Sequence, residues 1–204
     1  MEAGAKLDLK PLQIEALVNR ANAVIQAHAE ELTALDSAIG DADHGINMKR
    51  GFGALAAEAG MLSAKPLGDA LKAAGMKLVM TVGGASGPLF GTFLMTLGKE
   101  IDATPFPVAF ARAVDSVAAR GKSERGQKTL LDVLYPLAEA ISAGQPRSEL
   151  VGVASAAADA TVPLTATRGR ASFLGERSKG HMDPGSRSCV LLTGAVVDWL
   201  ENDA

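Results

Sequence analysis

The sequence predicts an all-α fold, and three observations point there. Apolar residues recur at helical spacing, and no period-2 alternation runs long enough to mark a strand. Aromatic residues make up only 4% of the chain while alanine is abundant. Small residues with few aromatics suit closely packed helices better than a β-sandwich. Prolines and glycines punctuate the helical stretches where chain breaks are needed. Together these predict eight helices with mostly short connections, each antiparallel to its neighbours in an up-and-down arrangement.

The first helix is expected from Pro11 to Glu31, with Leu12, Leu17, Val24 and Ile25 on its apolar stripe. The second is expected from Ile46 to Ala59, with Gly60 just after its end. Pro66 opens the third, which carries Leu67, Leu71, Ala74 and Leu78 on one face, and Pro88 opens the fourth. Ala103–Pro107 separates the fourth helix from the fifth, whose expected inner face is Val108, Ala111, Val114 and Ala118. The sixth spans Thr129–Ala143 and contains Pro136, a kink signal. The seventh, Ser148–Leu164, is alanine-rich, and the eighth spans Ser186–Glu201 with Val190, Leu191, Ala195 and Val197 toward the core. In this topology the loops after helices 1, 3, 5 and 7 share one end.

A chain of 204 residues with 48% hydrophobic and 21% charged content reads as one globular domain over 1–204. The net charge of −3 gives no reason to expect nucleic acid or an anionic membrane as partner. Cys189 has no second cysteine to pair with and is expected as a small apolar filler in the last helix. Neither a secretory signal nor a membrane span is visible, so the expected compartment is the cytoplasm.

The chemistry concentrates in Asp36-Ser-Ala-Ile-Gly-Asp-Ala-Asp-His-Gly-Ile-Asn47, which sets Asp36, Asp41 and Asp43 within eight residues. Carboxylates forced together repel by on the order of 4 kcal/mol per close pair in a partly screened site. A hard divalent cation removes that repulsion and prefers oxygen ligands. Gly40 and Gly45 are expected to let the backbone fold back so that the three side chains converge. Asp and Gly are also ordinary turn residues, so a solvated helix–helix loop is the competing reading. An EF-hand is excluded, since the sixth position from Asp41 is Ile46 and the twelfth is Phe52.

Three further loops bear on function. Thr81-Val-Gly-Gly-Ala-Ser-Gly-Pro88 has the character of an anion-binding turn, with glycines, a helix N-terminus and the Ser86 hydroxyl. A close helix–helix contact needing small residues is the alternative. Gly121-Lys-Ser-Glu-Arg-Gly-Gln-Lys-Thr129 approaches a Walker A pattern, but no strand precedes it. Lys122, Arg125 and Lys128 read there as a solvated basic turn. Thr165–Gly185 is a long basic loop whose arginines suit phosphate. His28, His44 and His181 are too dispersed for a zinc cluster. An acidic loop, a glycine-rich turn and a basic loop at one end fit together as a magnesium–phosphate site.

Gly40-Asp-Ala-Asp-His-Gly-Ile-Asn-Met48, Gly83-Gly-Ala-Ser-Gly-Pro-Leu-Phe-Gly91 and Gly169-Arg-Ala-Ser-Phe-Leu-Gly-Glu-Arg177 followed by Asp183-Pro-Gly185 carry a resemblance. In order and over nearly the whole chain, they resemble the nucleotide-binding L subunit of dihydroxyacetone kinases. The resemblance implies an eight-helix antiparallel barrel with ADP or ATP in the loops at one end. It implies that Asp36, Asp41 and Asp43 carry two Mg²⁺ ions bridging the phosphates. His44, Gly45, Ile46 and Asn47 would line the nucleotide site, and Ala85 and Ser86 would meet the phosphates. Gly121, Leu130, Arg170, Asp183, Pro184 and Gly185 would line the rest of the pocket. Leu130 stands where some members carry methionine, and an apolar contact survives that exchange.

The resemblance also implies partners. The ketose would be bound covalently on a separate K subunit, so no general base is assigned to this chain. The phosphoryl donor is either exchanging ATP or a retained ADP recharged by a phosphohistidine protein of the phosphotransferase system. A short ketose such as erythrulose is an alternative acceptor. A nucleotide-loaded module acting on a transcription regulator, or a helical carrier with a lipid in its barrel, are the readings of a different class.

Overall fold

The computed structural model describes residues 11–202. Leu12 is expected on the first stripe, but its side chain lies outside what is described. Ten α-helices follow one another: α1 Pro11–Ala27, α2 Ala29–Ile39, α3 His44–Ala56, α4 Ala59–Ser63, α5 Leu67–Thr81, α6 Ser86–Glu100, α7 Phe106–Gly121, α8 Leu131–Ser142, α9 Arg147–Asp159 and α10 Pro184–Asn202. One 3-10 segment, Arg170–Ser178, lies between α9 and α10. No strand occurs among the described residues.

Ten segments replace the eight helices expected because two of those helices are broken. The first is interrupted at His28 and then runs on to Ile39, which carries Asp36 into its last turn. The second starts at His44, stops at Ala56 and is followed by α4, so Gly60 lies inside a helix rather than after one. The last helix starts at Pro184, and α9 stops at Asp159, well before Pro163. Proline supplies three of the starts: Pro66, Pro105 and Pro146 precede α5, α7 and α9 with φ of −53°, −55° and −56°. Their extended ψ and missing N–H suit a residue just outside a helix.

Sequence neighbours are spatial neighbours. From α5 through α10 each long helix packs on the next, α3 packs on α1 and α5, and α10 returns to α1. The ring encloses a core built from Ile25, Leu32, Met48, Phe52, Leu78, Val114, Leu131, Val133, Leu137 and Val190. Cys189 sits in that core as an apolar filler, its thiol pushed far up by burial. Val108 does not. It is 41% exposed, because α7 buries Ala109, Ala113, Val114 and Val117 instead. The inner face keeps Val114 and adds Ala109, Ala113 and Val117, and the two alanines meet Leu97 of α6.

The α5–α6 hairpin is packed backbone to backbone. A Cβ on Gly75 would lie 2.6 Å from the Gly91 carbonyl oxygen, and one on Gly98 would lie 2.4 Å from the Gly68 carbonyl oxygen. These four positions let the two helices approach closely and fix the turn between them. Gly75→Ala should therefore cost about 1–3 kcal/mol by overpacking. Gly152→Ala in α9, where a Cβ meets nothing within 4 Å, should instead gain about 0.4–1 kcal/mol. Denaturant unfolding of the two variants beside wild type checks this opposite pair of signs.

Candidate functional site

Asp36 organises the acidic stretch. From the last turn of α2 its Oδ2 accepts the N–H groups of Asp43 at 2.8 Å and His44 at 3.0 Å. It thereby caps α3 from a neighbouring helix, where negative charge is favourable. The chain between them turns through Ala42 in the left-handed region, φ 61°. The glycines do a different job from the one expected, for neither Gly40 nor Gly45 takes positive φ. They supply space: a Cβ on Gly40 would lie 2.0 Å from Asp36 Oδ1, and one on Gly45 would lie 2.0 Å from the Ala29 carbonyl oxygen. The result brings carboxylate oxygens of Asp36, Asp41 and Asp43 within 4.8 Å of one another. Asp36 is buried, Asp43 intermediate and Asp41 exposed. Hard oxygen donors graded from core to solvent fit a divalent cation such as Mg²⁺.

His44 joins this cluster to two other elements. Its Nε2 lies 2.7 Å from Ser188 Oγ on α10, and its Nδ1 lies 3.0 Å from Ser86 Oγ at the start of α6. Burial holds its pKa below the usual histidine value, against the opposing pull of Asp36 and Asp43. A neutral imidazole with one donor and one acceptor nitrogen is what two serine hydroxyls can satisfy. Ser86 is therefore brought to the acidic cluster, with Ala85 exposed beside it. Asn47 Oδ1 accepts from Arg50 Nη2 at 2.8 Å, and Arg50 Nε donates to the Thr81 carbonyl at 2.7 Å. That pair locks the glycine-rich turn to α3. Ile46 points to solvent, 58% exposed. Arg170, the first residue of the 3-10 segment, places Nε 2.9 Å from Asp41 Oδ2.

A second group lies beside the start of α10. Leu130 is buried and abuts Gly185, while Pro184 is buried at the first turn. The Asp183 carboxylate accepts the Ser186 N–H at 2.6 Å, and Ser186 Oγ donates to the Thr129 carbonyl at 3.0 Å. Gly121 ends α7, half-buried, and the following residue ties to this side through Arg168, whose guanidinium donates to the Lys122 carbonyl. The loops after expected helices 1, 3, 5 and 7 thus do meet at one end.

Sequence reasoning missed what holds the third and fourth loops. Lys128 is not part of a solvated turn. It is 1% exposed, and its Nζ donates to the carbonyls of Thr161 at 2.9 Å, Val162 at 3.3 Å and Leu164 at 3.0 Å. Burial lowers its pKa while Asp183 raises it. Asp132 is equally structural: its carboxylate accepts the N–H groups of Gly126 and, at 2.8 Å, Thr129. The one available signal was Thr129-Leu-Leu-Asp132, the pattern of a capping residue read backwards.

A family model described as the DAK2 domain matches residues 38–198. The chain is 38% identical over 200 residues to the Escherichia coli K12 protein named PEP-dependent dihydroxyacetone kinase, ADP-binding subunit DhaL, covering 91% of this chain and 95% of that one. It is 42% identical over 178 residues to the ADP-binding subunit DhaL of PEP-dependent dihydroxyacetone kinase 1 from Listeria innocua, covering 85% and 88%. The fold matches the crystal structure of the C. freundii dihydroxyacetone kinase in complex with AMP-PNP and Mg²⁺, with a TM-score of 0.75 at 20% identity. That match covers 97% of this chain and 36% of the larger one. The chain belongs to the DAK2 domain family, in its group of dihydroxyacetone kinase L subunits, as its motifs implied.

One electrostatic feature of this site is measurable without a ligand. Burial pushes the Asp183 carboxyl up to about 7, outweighing the Ser186 hydrogen bond and Lys128. A raised folded pKa contributes stability that is complete below the ordinary value of 3.8 and is lost as pH rises through about 7. Asp183→Asn removes the titration and keeps an acceptor for Ser186. Thermal melts from pH 5 to pH 8 should show wild type losing stability relative to the variant steadily from pH 5, with the divergence levelling off above about pH 7.

Proposed function

We propose that this chain is the nucleotide-binding subunit of a dihydroxyacetone kinase, passing a phosphoryl group from bound ATP to dihydroxyacetone held on a separate K subunit. The observation that carries the reading is the convergence of three carboxylates within 4.8 Å beside the Ser86 turn and Arg170. Neither a solvated turn nor a simple helix contact accounts for all three elements meeting. The chain acts as a single domain, 1–204, in the cytoplasm.

Asp36, Asp41 and Asp43 would hold two Mg²⁺ ions, which would supply charge neutralisation for the phosphates. Asp36 gives its Oδ2 to α3, which leaves Oδ1 for a cation, and Asp41 and Asp43 complete the set. Ala85 and Ser86 face the phosphates from the N-terminal end of α6, whose partial positive charge favours them. His44 orients the Ser86 hydroxyl, and Gly45, Ile46 and Asn47 border the nucleotide. Leu130, Pro184 and Gly185 would form an apolar and close-packed wall for the base, with Gly121 and Asp183 beside it, while Arg170 stands over the acidic cluster on the phosphate side. No side chain here is assigned as general base. The share of this chain in catalysis is positioning and electrostatic stabilisation.

The relatives' names point to a phosphoenolpyruvate-dependent donor. We assign the recharging of retained ADP to a phosphohistidine protein of the phosphotransferase system. The ketose is chosen by the K subunit, so a close analogue such as erythrulose is discriminated there. We also propose a lipid within the helical barrel, rather than in the open cleft of about 480 Å³ between α1, α9 and α10, where Arg20, Arg187 and Asp198 stand beside the apolar lining. Organic extraction with mass spectrometry tests the lipid.

Asp41→Asn removes one negative charge with almost no change of volume. It should weaken Mg·ADP binding by at least about tenfold, the effect of disturbing even an outer partner of a metal. Apo stability should change little, since lost repulsion offsets the lost Arg170 pair. Calorimetric titration beside thermal melts reads both; equal Mg·ADP affinity removes Asp41 from the ligand set. The isolated chain with ATP and dihydroxyacetone should show no turnover until a K subunit is added.

A further inference from the structure

We propose that Arg170 is a latch on the metal site: it competes with the divalent cation for Asp41 and is drawn off by the nucleotide phosphates, so that metal and nucleotide bind cooperatively. This rests on the nucleotide–metal reading above. The Arg170 Nε lies 2.9 Å from Asp41 Oδ2, and Asp41 is the most exposed of the three carboxylates. A guanidinium and a divalent cation on the same carboxylate repel each other and divide its charge between them. The pair crosses from the 3-10 segment to the loop between α2 and α3, and that segment also packs on α2. Releasing Arg170 therefore loosens the segment over the site without disturbing any helix.

The base of the segment is held independently. The Ala166 N–H donates to Ser178 Oγ at 2.8 Å, Thr165 Oγ1 donates to Glu176 Oε1 at 2.8 Å, and Arg168 donates to the Lys122 carbonyl. Arg170 itself follows Gly169 in the left-handed region, φ 66°, and is 70% exposed, so its side chain is free to change partner. A phosphate offers two oxygens to the guanidinium fork and carries more charge than one carboxylate. Nucleotide would thus take Arg170 and return Asp41 Oδ2 to the cation. Metal in turn weakens the Asp41 pair and frees Arg170 for phosphate. The coupling is reciprocal, as linkage requires.

The test measures Mn²⁺ affinity by electron paramagnetic resonance, with and without ADP, on wild type, Arg170→Gln, Arg177→Gln and Asp41→Asn. Arg177 lies on the same 3-10 segment, is exposed and makes no ion pair among the described residues, so it controls for the general field. Arg170→Gln should bind Mn²⁺ alone about two- to fivefold more tightly than wild type, the range of an exposed pair. Arg177→Gln should match wild type. The gain in Mn²⁺ affinity on adding ADP should shrink by the same factor in Arg170→Gln. Arg170→Lys should restore part of the wild-type coupling. If Arg170→Gln binds Mn²⁺ no more tightly, or if both glutamine variants tighten equally, the latch is overturned while the metal site stands. If no protein binds Mn²⁺ even with ADP, or Asp41→Asn binds as wild type, the site reading fails and the latch fails with it.

Discussion

The acidic half of the functional end depends on one carboxylate oxygen. Asp36 Oδ2 takes two N–H groups at the start of α3, and so joins the last turn of α2 to the first turn of the next helix. The bond is charge-assisted, and the dipole of α3 adds to it. It closes a turn so tight that Ala42 enters the left-handed region and Gly40 has no room for a Cβ. Once the turn is closed, Asp41 and Asp43 have nowhere to go but beside Asp36. The crowding of negative charge is a consequence of helix capping, and Arg170 and the N-terminus of α3 are what make it tolerable.

The other half of the site is held by buried polar groups with a different logic. Lys128 spans to three carbonyls just beyond the end of α9, where a cation is favoured by the helix dipole. Asp132 folds the preceding loop over its own backbone. Ser186 and Thr129 then fasten α10 to that loop. Each of these groups is satisfied by backbone partners, so they position loops without offering chemistry of their own. His44 bridges the halves through Ser86 and Ser188. Its neutral form is part of the scaffold, because two hydroxyls occupy both ring nitrogens.

Much of this was legible in the residues, for reasons that can be named. Pro66 and the Ala103–Pro107 stretch marked helix starts because proline fixes φ, and Leu78, Val114 and Val190 faced inward as their spacing required. The family was legible through the motifs that carry the resemblance, Asp-x-Asp-His-Gly, Gly-Gly-Ala-Ser-Gly and Asp-Pro-Gly, since by composition alone Asp, Gly and Pro read equally well as turn residues. What failed was whatever depends on a partner distant in sequence. The break at His28 leaves no glycine or proline as a mark. Lys128 looked solvated because its three carbonyl partners lie more than thirty residues away. Val108 was assigned inward on hydrophobicity, yet near its start α7 packs by Ala109 and Ala113, and spacing alone does not choose between neighbouring alanine and valine positions.

The glycine contact between α5 and α6 has a mechanical consequence. Where glycine meets a carbonyl across the pair, at Gly75–Gly91 and Gly68–Gly98, no side chain intervenes to change rotamer, and Leu71, Val79 and Met95 pack beside those points. Two helices of 15 residues each, about 22 Å long at 1.5 Å per residue, then move as one stiff arm. Ser86 stands at one end of this arm and Leu67 and Glu100 at the other, so a shift of the turn beside the acidic cluster would be shared along the whole hairpin.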